Sequence, residues 1–407
     1  MSSKELLDEL LKHGVVSEQS ASDLIESVGT SVPNEGLLET LVQREELTDH
    51  QAGEIQSGNL DRLLVDQYVV IRPLGRGGMG TVYLARHRAL GKLVALKILP
   101  DEVANDPMHR ARFQREMEVL AALSHTRIAS TFDGGKSTGG RLYFAMEYLP
   151  GGTLADRLKL GPLPIDETLD RMIETCTAIE YAHSKSIVHR DLKPSNLGID
   201  EFDSVKLLDL GLAQIALELD GHATTIERLT REGQVLGTID FMAPEQARDS
   251  SKSDYRVDIY SLGCTLCCLI TGQPPYSGSS IIEKIAAHRS HPAPSLRQLR
   301  PEVPDGLENL CRWMLAKRPE DRPDSVTIVL RRLHEIATEY RATNGSGADR
   351  ALSDSSVSGH SHSTVFDLPI HRRTTFWMAL LALVFAGATF AAVFYPRYFW
   401  ETVSKHA

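Results

Sequence analysis

IVHRDLKPSN, residues 187–196, is the stretch on which the reading of this chain turns. Asp191, Lys193 and Asn196 stand within six residues, behind a stretch whose apolar positions (169–182) predict a helix. Downstream, KLLDLG (206–211) predicts a strand ending in Asp209. Upstream, YVVIRPLG (68–75) and TVYLARHR (81–88) read as two strands flanking the turn GRGGMG (75–80). Gly75, Gly77 and Gly80 make a GxGxxG, which in dinucleotide-binding folds opens a helix. Here strands follow it, the next at 93–99, so the loop is expected to clamp phosphates from above with backbone groups. A side chain there would block close approach. VALK (94–97) puts Lys97 inside an apolar strand, where an unpaired ammonium is costly. Its partner is expected from a helix after Pro107, a residue suited to a first helical position. On that helix Glu116 shares a face with Phe113, Met117 and Leu120; the alternative, Glu118, points away from them.

One carboxylate to take or orient a hydroxyl proton, a lysine, and an Asn/Asp pair of oxygen ligands for Mg²⁺ meet the needs of phosphoryl transfer. That reaction asks for positioning and charge neutralisation more than covalent chemistry. In this order and spacing, residues 68–338 resemble a serine/threonine protein kinase domain. The resemblance implies an α+β, two-lobed fold with a β-rich N-lobe and a mostly helical C-lobe. It implies that Leu74, Gly75, Arg76, Gly77, Gly78, Met79, Gly80 and Val82 form the lid over ATP, with Val82 and Ala95 against adenine and Leu197 completing the nucleotide site. Lys97 would hold the α and β phosphates and pair with Glu116. In AMEYLPGGTL (145–154), Met146 resembles the gatekeeper, and Glu147 and Leu149 would bond adenine through their backbones. Asp191 would be the catalytic base, Lys193 the γ-phosphate contact, and Asn196 and Asp209 the ligands of Mg²⁺, with Mn²⁺ as a substitute. GTIDFMAPEQ (237–246) would receive the protein substrate, Thr238 bonding Asp191 and Lys193. Lys193 and Thr238 are the Ser/Thr-type choices. Structural roles are implied for His189 in the core, for Asp258 anchoring the loop 187–196, and for a Glu245–Arg322 pair.

Two departures stand out. DLG replaces DFG, and GTID replaces the more usual GTP, while no catalytic or metal-binding position is lost. The wording VYLAR, MAPEQ and DLG resembles bacterial kinases, and the acidic helical leader followed by GGMGTVY resembles membrane kinases of planctomycete-type bacteria. Arg190, directly before Asp191, marks a kinase whose activation loop needs an anion. Trans-autophosphorylation is expected at Thr230 or at Thr224/Thr225, with Glu232 supplying part of that charge.

Composition bounds the rest. A net charge of −10 argues against a nucleic-acid partner. Thirteen acids against four bases in residues 1–65 put nearly all of the imbalance there. That segment holds a repeat at an offset of 31: Leu6/Leu37, Leu7/Leu38, Leu10/Leu41 and Ala21/Ala52 coincide, and Ser17 and Thr48 fall where each caps a helix. Two helical hairpins are expected, either as a docking module or as an extension packed on its neighbour. Five cysteines make no disulfide framework; Cys264, Cys267 and Cys268 lie in an apolar run that reads as a buried helix.

Residues 341–373, rich in Gly, Ser and His, read as a flexible tether; His360 and His362 lack further metal ligands nearby. Residues 376–395 carry no charge, and twenty residues at about 1.5 Å each span a bilayer's hydrocarbon, with Trp377, Tyr395 and Trp400 at its edges. Small residues spaced by four, such as Gly387/Ala391, offer a face for pairing two such helices. The expectation is a single-pass protein of the cytoplasmic membrane with its kinase domain inside, lipid around one helix, a short outer tail at 396–407, and a homodimer for trans-autophosphorylation. The rival from another class is a pseudokinase, an ATP-binding scaffold recruiting partners through its N-terminal helices.

Overall fold

The computed structural model describes residues 2–28, 33–77, 80–100, 113, 114, 117, 120, 123–210, 239–247 and 253–353. Residues 1–346 form one compact unit; of the second, 347–407, only the helical end up to Ser353 is described.

Four short helices come first: α1 (Ser3–Lys12), α2 (Glu18–Val28), α3 (Asn34–Gln43) and α4 (Asp49–Gln56). Ser2 with Glu5 and Thr48 with Gln51 form reciprocal capping boxes, and the Ser17 hydroxyl accepts from Ser20 N at 3.1 Å. The coincident leucines of the repeat are the buried ones: Leu6, Leu7 and Leu10 in α1, and Leu37, Leu38 and Leu41 in α3.

The N-lobe sheet follows, with β1 (Leu64–Val65), β2 (Tyr68–Gly77), β3 (Gly80–His87), β4 (Leu93–Ile98), β5 (Thr131–Lys136) and β6 (Leu142–Glu147). All neighbours are antiparallel in the order β1-β2-β3-β4-β6-β5. Strand alternation sends Ala95, Phe144 and Met146 to one face, into the core shared with the C-lobe. Val94, Leu96, Tyr143 and Ala145 face the other way, into a second core that they share with Leu6, Leu10, Leu38, Leu41 and Ile55 of the helices. Helices α1 to α4 thus pack on the outer face of the sheet. Arg86 of β3 and Arg88 just after it reach across to carbonyls at and just beyond the end of α1: Arg86 Nη2 donates to Gly14 O and Val15 O (both 3.2 Å), and Arg88 Nη2 to Lys12 O (2.8 Å).

The C-lobe holds α5 (Leu154–Leu158), α6 (Ile165–Ser184), the hairpin β7 (Leu197–Ile199)/β8 (Val205–Leu207), then α7 (Arg256–Thr271), α8 (Ile281–Ser290), α9 (Leu296–Leu299), α10 (Asp305–Met314) and α11 (Val326–Ser353). Helix α7 is buried on all sides from Val257 to Ile270. Cys264, Cys267 and Cys268 lie within it, free and buried, as the core reading expects. Burial pushes the Cys267 thiol up to about 12 and that of Cys268 to about 11. Helix α11 continues to Ser353, into the stretch that composition reads as tether. Arg341 still pairs with Asp170 at 2.5 Å, and each further residue of a formed helix adds a hydrogen bond. Among the described residues no helix is long and apolar enough to cross a membrane; 376–395 lie outside them.

Candidate active site

The loop 187–196 is fixed by one buried carboxylate. Asp258, on the first turn of α7, accepts from His189 N (2.9 Å) and Arg190 N (2.8 Å) and bonds His183 Nε2 (2.8 Å). Arg190 sits at φ 67°, a conformation strained for a residue with a side chain. Both its peptide groups are held, the N–H by Asp258 and the carbonyl by Gln246 Nε2 at 2.9 Å. His189 is fully buried; its Nδ1 accepts from Asp191 N (3.2 Å), so Nε2 carries the proton and donates to Leu208 O (3.0 Å). The backbone is therefore pinned on both sides of Asp191.

Three polar side chains then converge. Lys193 Nζ donates to both carboxylate oxygens of Asp191, at 3.0 and 2.8 Å. Asn196 Nδ2 donates to Asp191 O (2.7 Å) and Oδ2 (3.1 Å), so its amide oxygen is the atom left for a cation. The β7/β8 hairpin, closed by Leu208 N donating to Asn196 O at 2.9 Å, places Asp209 just beyond. Asp209 is itself at φ 53°. Its Oδ2 accepts from Lys97 Nζ at 2.8 Å, while Oδ1 is buried without a hydrogen-bond partner among the described residues. An orphaned, buried carboxylate oxygen is costly unless a cation meets it. With the Asn196 oxygen it makes a hard oxygen donor set of the kind Mg²⁺ takes.

Above this, Lys97 is buried on the inner face of β4, its ammonium 5.6 Å from the centre of the Phe144 ring. Gly80 begins β3 at φ 122°, and a Cβ there would fall 2.1 Å from Ile98 O, so the loop's return strand requires glycine. At Gly75 and Gly77 a Cβ would meet nothing within 4 Å, which leaves the loop's backbone open to an approaching group. Ala95 pairs with Met146, Val82 packs against the same core, and Leu197 closes it from below. The Glu147 side chain is occupied by Lys206 and by Ser130 N (3.1 Å), and the Glu147 N–H donates to Ser130 O at 2.8 Å. Leu149 lies on Gly198, where a Cβ would come within 2.3 Å of its Cδ1.

Of the residues named from sequence, Leu74, Gly75, Arg76 and Gly77 lie on β2, Gly80 and Val82 on β3, Ala95 and Lys97 on β4, and Met146 and Glu147 on β6; Ala95, Met146 and Leu197 belong to the lobes' shared core, and Lys193 and Asn196 meet at Asp191, as Lys97 does at Asp209. Gly78, Met79, Glu116 and Thr238 lie outside the described residues, as do Glu118, Thr224, Thr225, Thr230 and Glu232. Phe113, Met117 and Leu120 are buried in the shared core, as their common face predicts. Among the described residues the partner of Lys97 is Asp209, which sequence reasoning assigned to metal alone. Nothing in local sequence signals that contact, because 112 residues separate the two. Glu245 and Arg322 meet twice, at 2.6 and 2.8 Å, as implied, and Leu210 of DLG is buried in the core.

Comparison with known proteins agrees with this geometry. The family model described as protein kinase domain matches residues 68–333. The chain is 37% identical over 264 residues to the serine/threonine-protein kinase PknB of Mycobacterium leprae, covering 64% of this chain and 41% of that one. It is 37% identical over 269 residues to the DNA damage-responsive serine/threonine-protein kinase RqkA of Deinococcus radiodurans, covering 65% and 38%. It therefore spans about two-fifths of the length of these relatives. Among solved structures, the Mycobacterium tuberculosis PknI kinase domain matches with a TM-score of 0.51 at 28% identity, over 67% of this chain and 97% of that one.

Proposed function

We propose an activity from one premise, that the chain belongs to the protein kinase family through residues 68–333: it transfers the γ-phosphate of ATP to serine and threonine hydroxyls of proteins. The observation that carries this is the pair of linked centres, Asp191 with Lys193 and Asn196, and Asp209 with Lys97. Asp191 accepts or orients the hydroxyl proton of the acceptor. Lys193, already against that carboxylate, is placed to meet charge developing on the transferred group. Lys97 steadies the bound phosphates, and the open backbone at Gly75 and Gly77 covers them. Asn196 and Asp209 would hold Mg²⁺ or Mn²⁺, which neutralises phosphate charge when bound.

The finer reading is a bacterial, planctomycete-like kinase tethered through 376–395 to the inner face of a cytoplasmic membrane. It pairs with a second copy and activates by trans-phosphorylation at Thr230 or Thr224/Thr225. The uncharged twenty-residue run and the threonines between Asp209 and Gly237 support this. Protease protection of residues 1–370 inside sealed vesicles and phosphosite mapping after incubation with Mg²⁺-ATP test its two halves.

The activity itself is tested by phosphate transfer from the full chain to a generic basic protein, beside Asp191→Asn. Loss of about 10²- to 10⁴-fold in the variant is expected. Absence of transfer by both, with ATP still bound, would instead make the protein a nucleotide-binding scaffold.

A further inference from the structure

The glycine loop is aimed by two irregularities in β2. Val70 pairs with Ala85 and Arg72 with Leu84, so Ile71 is an extra residue with no partner on β3. Pro73 pairs with Tyr83 and Gly75 with Val82, which makes Leu74 a second one. Each bulge bends and twists its strand and frees a carbonyl from the ladder. These two lie directly before Gly75.

The first turn of α4 sits on this bend. Thr48 Oγ1 donates to Ile71 O at 2.5 Å, and Gln51 Nε2 donates to Val70 O at 2.9 Å. Gln51 is 4% exposed, so this is a buried amide with its hydrogen bonds satisfied rather than a surface cap. Its Oε1 meanwhile accepts from Thr48 N at 3.0 Å, so one side chain both caps the helix and grips the strand. Between them in sequence, His50 stacks on Tyr83, the residue opposite Pro73, with ring centres 5.9 Å apart and planes 27° from parallel. Three residues of one helical turn thereby bracket the segment between the two bulges, on both strands that carry the loop.

We propose that Thr48 and Gln51, with His50, are positioning residues for the nucleotide: the N-terminal helices set the bend of β2 and hence the height of the glycine loop over bound ATP. This rests on the nucleotide-binding reading of that loop. Without the clasp the bulge loses its hydrogen-bond partners and the loop samples more positions, which weakens nucleotide binding and leaves Asp191 and its neighbours untouched. The two hairpins are then a part of the ATP site built from outside the family's own boundaries.

The test uses the full chain. Gln51→Glu keeps the helix cap and removes the donor to Val70 O; Thr48→Val removes the hydroxyl at nearly constant shape, and Thr48→Ser restores it. Melting temperature, KM for ATP, kcat at saturating ATP, and binding of a fluorescent ATP analogue with Mg²⁺ are measured for each. Expected are a 3- to 10-fold weaker KM and analogue affinity for Gln51→Glu and Thr48→Val, of about the size one lost hydrogen bond allows. Their kcat should lie within about twofold of the parent, and Thr48→Ser should match it. Unchanged nucleotide affinity, a loss confined to kcat, or a Thr48→Ser variant as weak as Thr48→Val would overturn the proposal. Should Gln51→Glu not fold, His50→Gln carries the same expectation without touching the cap. The analogue reads the clasp even where phosphate transfer is absent, so failure of the activity assignment and failure of this proposal remain distinct.

Discussion

Arg322 illustrates how a single residue ties the segment 239–247 to the helical lobe. Its guanidinium is wholly buried, lies 4.8 Å from the centre of the Tyr260 ring, and donates to the carbonyls of Ala316 and Arg256. Those groups satisfy its hydrogens but do not neutralise its charge; Glu245 does, through both oxygens. A buried charge stripped of its counter-ion costs far more than the pair is worth relative to an apolar replacement. Glu245→Gln, nearly isosteric, should therefore lower unfolding stability by about 3 kcal/mol in urea titration. Arg322→Leu with Glu245→Leu should recover much of that. A loss in Glu245→Gln below about 1 kcal/mol would mean that solvent, rather than Glu245, screens the guanidinium.

At the scale of elements, β4 explains both what the sequence disclosed and what it hid. LVALKI alternates in the structure between two buried faces: Ala95 and Lys97 inward, Val94, Leu96 and Ile98 outward. Lys97 was legible because a lysine inside an apolar strand demands a reason. The outward residues carried a second message, that something must cover them, and only packing shows that α1, α3 and α4 do so. Asp191, Lys193 and Asn196 were legible because they are close in sequence, whereas the Lys97–Asp209 contact and the α4 clasp join distant segments that leave no periodic trace. Helices α7 and α8 carry a further hidden pair. Tyr260 OH lies 2.9 Å from His288 Nδ1, with Lys317 Nζ donating to His288 O and Lys284 on the same helix. Burial first, then the charges of Lys317 and Lys284, push the His288 imidazole down to about 3. The unfolded chain takes up this proton near pH 6.5 and the native one only near 3, so stability present above 6.5 is lost as pH falls between those values. The slope approaches about 1.4 kcal/mol per pH unit. Denaturant unfolding between pH 7 and 4.5 should accordingly show a shallower acid limb in His288→Asn than in the parent. Parallel limbs would mean that His288 is protonated in the native state.

For the whole molecule, composition changes near residue 65, but the hydrophobic core does not stop there. Leu63, Val65, Tyr68 and Val69 belong to the same cluster as Leu10 and Leu41, and Gln67, Tyr68 and Tyr143 all converge on Asp133 at the sheet's margin. The family match begins at 68 because the catalytic architecture begins there, while the structural unit begins with α1. Deleting residues 1–63 would uncover Val69, Val94, Leu96, Tyr143 and Ala145 together, an apolar patch on an otherwise folded sheet. Each large side chain returned to water costs about 1.5–3 kcal/mol, and a domain of this size loses about 2–4 °C in melting temperature per kcal/mol. The deletion should therefore melt about 10 °C or more below the full chain and associate at concentrations where the parent does not. Differential scanning calorimetry beside light scattering reads both effects. A truncated chain that stays monodisperse and melts with the parent would show that the outer face needs no cover, and that the leading helices serve a partner instead of the sheet.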